Sequence, residues 1–495
     1  MPGARKTLLT SRRSLGHITM AAWMLGLTAC AVGPDFQPLP PAKTPQLAQE
    51  NLLRPGTGLS QQAIPLDWWA LFHDSTLNAL IAEADKANLD VLLASLRVEE
   101  SRAEEGLVEA QQQPQLGFGA GFTRQAISAK SPLAHLGAST YAFDQWQQGF
   151  QASWEVDLWG HLRRLGEAAR ARLAASAYER EAVRISVTAE VARNYFQLRG
   201  TQIDAALSSE ATRLAAETVA LTQSRIRNGT ASASELERAL ASQAEAQART
   251  QQLELQRATL MNALALLLGK DPQQLNTLLA KQPAHPLLPA QIPTGLPSEL
   301  ARNRPDIRQA EARLHAAIAD TGAAQADFYP RVKLTGAIGS QAFTGRDLGM
   351  WQARQFSFGP SLYLPLFDGG RLQRNLELSE TRQRMAALAY KQTVLRAWHE
   401  IDNQLNRYRT TQQQQQQHAL ASNQYQQAFN HARVALQLGV ADRLSLISAQ
   451  QTMLASQQAL SDSSTTEAIA IVDLYKALGS GWNNAADKPS EKARP

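Results

Sequence analysis

The chain contains, twice over, a helix-forming stretch far longer than a globular domain needs. Residues 161–228 and 371–438 each run 68 positions without a proline, and only Gly166 and Gly200 interrupt the first. Both are rich in Ala, Gln, Arg, Glu and Leu, all good helix formers. At about 1.5 Å rise per residue each would extend roughly 100 Å. A helix of that length cannot bury itself alone and points to a coiled-coil-like assembly. Six glutamines at 412–417 lie inside the second stretch. They read as a solvated helix face, because the matching stretch of the first copy is plainly helical.

The repetition extends beyond the helices. Asp90 and Pro114 match Asp306 and Pro330 at an offset of 216, and Phe150, Ser153 and Leu158 match Phe358, Ser361 and Leu366 at 208. Glu190, Arg199, Gly229, Leu236 and Gly269 match Glu400, Arg409, Gly439, Leu446 and Gly479 at 210. Self-similarity of this kind is the signature of a duplicated unit. Each copy opens with a helical stretch (75–112 or 304–328) and continues with two short alternating segments and the long helix. A glycine turn follows at Gly229 or Gly439, and a helix then returns to Gly269 or Gly479. Pro283, Pro286, Pro289, Pro293 and Pro297 form a joint between the copies, a linker signal. The expected plan is a signal peptide at 1–29, an arm at 30–73, a first repeat at 74–280, a linker at 281–303, a second repeat at 304–480 and a C-terminal tail at 481–495.

The alternating segments predict strands at about 115–124, 149–158, 331–340 and 357–366. In "FQASWEVDL" (150–158), Phe150, Ala152, Trp154, Val156 and Leu158 share one face, while Gln151, Ser153, Glu155 and Asp157 share the other. Side chains alternate across a strand, so such runs suit lipid on one side and water on the other. Soluble hairpins on a protein core would look the same strand by strand. After the first 29 residues no apolar run reaches the ~20 residues of a membrane helix. A membrane crossing therefore requires strands in a closed barrel. Four strands cannot close one, since single-chain barrels start at about eight; several chains would have to share it.

The amino terminus supports export. Arg5, Lys6, Arg12 and Arg13 precede an apolar run from Ile18 to Leu27, followed by small residues, the pattern of a secretory signal. Leu27-Thr28-Ala29-Cys30 resembles the lipobox of bacterial lipoproteins. That resemblance implies a diacylglycerol on the Cys30 sulfur and an acylated new amine, and Ala31 behind it is consistent with delivery to the outer membrane. An ordinary signal peptide with a chance cysteine is the alternative. With a single cysteine there is no intramolecular disulfide. The formal net charge of +5 includes four positives in the signal segment. What remains is 45 basic against 44 acidic side chains, no argument for a nucleic-acid partner.

Four segments, "ACAVGPDFQ" (29–37), "DWWALFHDSTLNALIAEADKANLD" (67–90), "RPDIRQAEARLHAAIADTGAAQADFYPRVKLTG" (304–336) and "PLFDGGRL" (365–372), resemble the outer-membrane factors of the TolC family, nearest its NodT-type, OprM-like lipoprotein branch. The resemblance implies a mainly α protein with membrane β: a homotrimer with a twelve-stranded β-barrel, four strands per chain, on a long periplasmic α-helical barrel. It also implies outer-membrane location, a periplasmic adaptor and an inner-membrane pump of the resistance-nodulation-division class as partners, and passive export with no cofactor beyond the lipid on Cys30. Gly229 and Gly439 would mark the periplasmic tips that meet the adaptor. The family motif matched to "LGVADRLSLISAQ" (438–450) places a constricting leucine at Leu444. A commonly found aspartate falls at Ser448, and Ala435 and Leu436 replace an Arg–Tyr pair, so an apolar ring at Leu444 is expected to matter more than charge. Asp442 would supply what charge there is. Without the family, Leu444 reads as ordinary helix packing and Asp442 as a solvated turn residue.

Catalytic signals are thin. His399-Glu400 lacks the second histidine of a metalloprotease motif, since position 403 is Asn403, and "GFGAGF" lacks the third glycine of a dinucleotide loop at Phe122. Trp68 and Trp69 are expected to pack where the arm meets the helices. The rival reading is a lipid-anchored periplasmic adaptor without a pore, but such proteins carry one helical hairpin, and this chain has two.

Overall fold

The computed structural model describes residues 31–38, 58–280, 287–295 and 304–482. Cys30, the signal segment, Pro283, Pro286 and Pro297 of the joint, and the tail beyond 482 lie outside the described residues. The principal helices are α1 (Ser75–Ala87), α2 (Leu89–Ala110), α3 (His161–Arg227), α4 (Ala233–Leu267), α5 (Pro305–Ala326), α6 (Arg371–Gln437) and α7 (Arg443–Ala477). The strands are β1 (Leu59–Ser60), β2 (Gln115–Gln125), β3 (Phe143–Val156), β4 (Ile292–Pro293), β5 (Arg331–Ala342) and β6 (Arg354–Tyr363).

The duplication appears directly in element lengths: α3 and α6 are 67 residues each, and α4 and α7 are 35 each. All four end alike. Gly229, Gly269, Gly439 and Gly479 have φ of 72°, 64°, 73° and 69°. After each glycine an N–H reaches back five residues: Thr230 to Arg225 and Lys270 to Ala265 at 2.8 Å, Val440 to Ala435 and Ser480 to Tyr475 at 3.0 Å. These are Schellman closures, which need the left-handed conformation glycine adopts without a Cβ penalty.

The stretch expected to run as one helix over 75–112 is two. Asn88 has ψ of 126° and breaks it. Its side-chain oxygen accepts from the Asp90 and Val91 N–H groups at 3.0 and 3.1 Å, and its amide donates to Leu267 O at 2.9 Å. Asparagine competes with the helix in this way through its short polar side chain.

β2, β3, β5 and β6 form one antiparallel sheet in the order β2-β3-β5-β6. β3 starts at Phe143, six residues before the expected edge, and stops at Val156 instead of 158. Its first six residues, "FDQWQQ", have only Phe143 and Trp146 as apolar side chains, on opposite faces, and so show no alternation, yet all six pair with β2, and Trp146, Gln147 and Gln148 pair with β5 as well. β6 occupies Arg354–Tyr363 rather than 357–366; Pro365, which has no N–H to donate, lies just past its end. The expected linker is also more than a tether, because β4 pairs in parallel with β1, with Leu59 opposite Ile292.

The described residues fall into two compact units. One holds the sheet with 31–38, Glu99–Ala175 and Ala310–Ala389. Its helical part is lined with small buried residues, among them Ala168, Ala171, Ala319 and Ala323. The other holds most of the helical residues and the main apolar core, where Trp68, Phe72, Leu77, Tyr195, Phe196, Ile401 and Tyr475 are buried. Trp68 is 1% exposed and stacks on Tyr475 at 5.0 Å, so the arm does pack into the helices. Gly200, inside α3, sits where an added Cβ would collide with Thr465 of α7. Among the described residues no helix is long and apolar enough to cross a membrane.

Candidate functional site

Three places in the structure bear on function: the sheet, the far ends of the long helices, and the segment next to Cys30.

The sheet has two chemically distinct faces. Register places Phe118 beside Phe150, Phe150 beside Ile338, and Ile338 beside Phe356. All four are exposed in the single chain. Trp146 and Trp154 lie on this same face eight residues apart, about 26 Å along the strand, close to the apolar band of a membrane barrel. The opposite face carries Gly119, Gly149 and Gly339 in one row, flanked by Gln147, Gln151, Gln355 and Ser357. A Cβ at Gly149 would lie 2.6 Å from Ile338 O, so glycine is required where the backbones of β3 and β5 come this close. β2 and β6 each have a partner on one side only, leaving two open edges.

The second place is the end of the helical hairpins. Asp442 caps α7, accepting from the Ser445 N–H at 2.8 Å, as Ser232 caps α4. The hydroxyl and amide of Ser445 hold the Asp442 carboxyl below its ordinary value. Leu444 is half-buried on the first turn of α7 and Ser448 is exposed one turn later. The two share a face by their i, i+4 spacing, while Asp442 is committed to the cap. A tie not expected from sequence crosses nearby: Arg443 of α7 donates to Glu217 of α3 at 2.7 Å, and Arg213 reaches both Glu217 (3.4 Å) and Glu210 (2.7 Å). Gln450 adds a bond to Glu210 at 3.0 Å. Hydrogen bonding from Arg443 lowers the Glu217 pKa. Arg443 and Glu217 are 226 positions apart, and nothing periodic in sequence pairs them.

The third place is the start of the described chain. The Val32 N–H donates to Trp159 O at 3.0 Å, and Gly160 packs against Ala31. Arg164, buried at the start of α3, donates to Asp35 at 2.6 Å and to Glu167 at 2.8 Å. Phe36 stacks on His315 at 4.2 Å. Gly33 comes so near α5 that a Cβ on it would lie 2.5 Å from the Gly322 Cα. These contacts fix the residue after Cys30 three to four residues past the end of β3. Cys30 itself lies outside the described residues.

A chain with this sheet and these long helices has known relatives. The family model described as outer membrane efflux protein matches residues 80–270 and 296–480. The chain belongs to the outer membrane efflux protein family. It is 32% identical over 468 residues to outer membrane protein OprJ of Pseudomonas aeruginosa, covering 94% of this chain and 96% of OprJ. It is 28% identical over 460 residues to the probable outer membrane lipoprotein SilC of Salmonella typhimurium, covering 92% and 96%. Its fold is similar to the outer-membrane channel OprN, with a TM-score of 0.82 and 29% identity over 92% of this chain and all of that one. Membership in this family places the protein in the outer membrane.

Proposed function

We propose that the chain is the exit duct of a tripartite efflux system, a passive conduit from periplasm to exterior. Three copies contribute four strands each to one twelve-stranded barrel, and the helical hairpins extend into the periplasm to meet an adaptor and an inner-membrane pump of the resistance-nodulation-division class. The observation carrying this reading is the four-stranded sheet, apolar on one face, polar on the other and open at β2 and β6. Open edges in lipid leave backbone groups unsatisfied, so neighbours must supply the missing partners.

Closure falls to the turns at Gly229 and Gly439, with Leu444 as an apolar ring and the Arg443–Glu217 tie holding α7 to α3. Ser448 sits on the Leu444 face and Asp442 stays with its cap. The lipid on Cys30 anchors the chain, supported by the fixed position of Ala31 and Val32 just past β3. Single-channel conductance of Leu444→Ser trimers in planar bilayers tests the gate: higher conductance and greater antibiotic leak are expected, and unchanged values would refute it. A protein that never conducts, released from the inner membrane as a monomer by mild detergent, would favour the poreless adaptor instead.

A further inference from the structure

Charge on the bore-side face of the sheet is confined to one level. From the outer rim down to Ser153 and Thr335 that face carries only amides, hydroxyls, glycine, alanine and one phenylalanine. Ionisable groups begin at Glu155, Lys333 and Arg331, at the end of the sheet nearest the helices. There a cavity of about 370 Å³ is lined by Asp327, Arg331, Lys333, Ser361, Tyr363 and Arg371, among others.

Three cations and three carboxylates meet at this level, so formal charge balances, but exposure does not. The carboxylates lie underneath: Asp327, Glu155 and Asp368 have side chains 15%, 17% and 21% exposed. The cations stand over them, with Arg331, Lys333 and Arg371 at 36%, 54% and 68%. Each carboxylate is paired with a more exposed cation: Lys333 and Arg331 lie 3.7 and 4.0 Å from Glu155, Arg331 pairs with Asp327, and Arg371 is 3.8 Å from Asp368. A solute in the bore meets Lys333 and Arg371 first.

We propose that this level is an anion-selecting belt at the inner mouth of the barrel, accepting chloride and the carboxylate or sulfonate groups of exported molecules. The inference rests on the channel reading above, which puts the polar face inward. Three copies would place three Lys333–Arg371 pairs around one bore, with no competing fixed charge on the strands above. Exposed charges of one sign lining a passage raise the local concentration of counter-ions.

The test is the reversal potential of the full lipoprotein in planar bilayers under a KCl gradient centred near 0.1 M, where the Debye length is about 10 Å. Chloride should permeate better than potassium. In Lys333→Gln/Arg371→Gln the chloride-to-potassium ratio should fall about three-fold, equivalent to roughly 0.7 kcal/mol. Glu155→Gln should raise the ratio, and Lys333→Glu should carry it below unity. Heat-modifiable trimers of each variant establish assembly. A potassium-preferring wild type, or equal ratios in wild type and double variant, would overturn the belt while leaving the channel intact. Absence of any conductance would overturn the channel reading and the belt with it.

Discussion

Asn88 and Arg304 stand at equivalent positions in the two copies, and each donates a side-chain hydrogen bond to the carbonyl that ends its own copy's returning helix. Asn88 bonds to Leu267 O at 2.9 Å, and Arg304 bonds to Ala477 O. The duplicated chain thus solves one packing problem twice, with different side chains. A short amide serves where it also caps α2. A guanidinium serves where Asp306 and Glu400, each at 2.8 Å, also need a partner.

The two joints should therefore differ in cost. Arg304 is 7% exposed, and Arg304→Ala leaves Glu400 and a helix-end carbonyl without their donor, at about 2–4 kcal/mol. Arg304→Lys should recover only part, because an ammonium cannot match the planar fork. Asn88→Ala loses a cap and one tertiary bond, about 1–2 kcal/mol. Thermal melts followed by far-ultraviolet circular dichroism should rank wild type above Asn88→Ala and Asn88→Ala above Arg304→Ala.

The four glycine closures should separate into two classes. Gly229 and Gly439 have nothing within 4 Å of an added Cβ, so alanine there costs only the left-handed strain, about 1 kcal/mol. At Gly269 the Cβ would lie 2.7 Å from Ala87 O, and at Gly479 2.8 Å from the Arg304 Cγ. Alanine at those two sites adds a collision and should cost about 3 kcal/mol. Melting temperatures of the four single variants measure the split.

Asp204 of α3 should make stability fall as pH rises. Burial, together with the neighbouring Asp462 carboxylate of α7, pushes its pKa up to about 7. In the unfolded chain it titrates near 3.9. Below that value both states hold the proton. Between roughly pH 4 and 7 the unfolded state loses its proton first, so stability falls across this window. Asp204→Asn should flatten that slope and raise the melting temperature at pH 7.5 but not at pH 4. Equal shifts at both would contradict it.

The Arg443–Glu217 tie should restrain the gate more than it stabilises the fold. Exposed ion pairs contribute little to stability. Glu217→Gln should increase single-channel conductance with little change in melting temperature. Because the Glu217 pKa is depressed, the tie persists above the ordinary carboxylate range and is lost as pH falls through the lowered value. Wild-type conductance should therefore rise only in acid, and the Glu217→Gln channel should lack that rise.

The features legible in sequence were those set by local chemistry. Proline-free stretches of good helix formers produced α3 and α6 to within a residue at their C-terminal ends, and glycine marked each left-handed stop. The alternation around Phe150 and Trp154 marked a strand with one apolar face, which the structure shows. What escaped depends on distant partners. Asp144 to Gln148 join β3 because β2 extends alongside all of them and β5 alongside Trp146 to Gln148, ahead of the alternating segment. The break at Asn88 is fixed by Leu267, 179 positions away. The β1–β4 pair joins the arm to a proline-rich joint that local composition marks only as a linker. At the tip, Leu444 came from family resemblance, whereas the Arg443–Glu217 bond required the fold.

The central claim is that this sheet is completed only by copies of itself, and the mass of the native particle extracted from outer membranes tests it most directly. Three chains per particle, separating only on heating in detergent, is the predicted result. A stable particle of one chain, with the edges of β2 and β6 covered by its own helices, would contradict it.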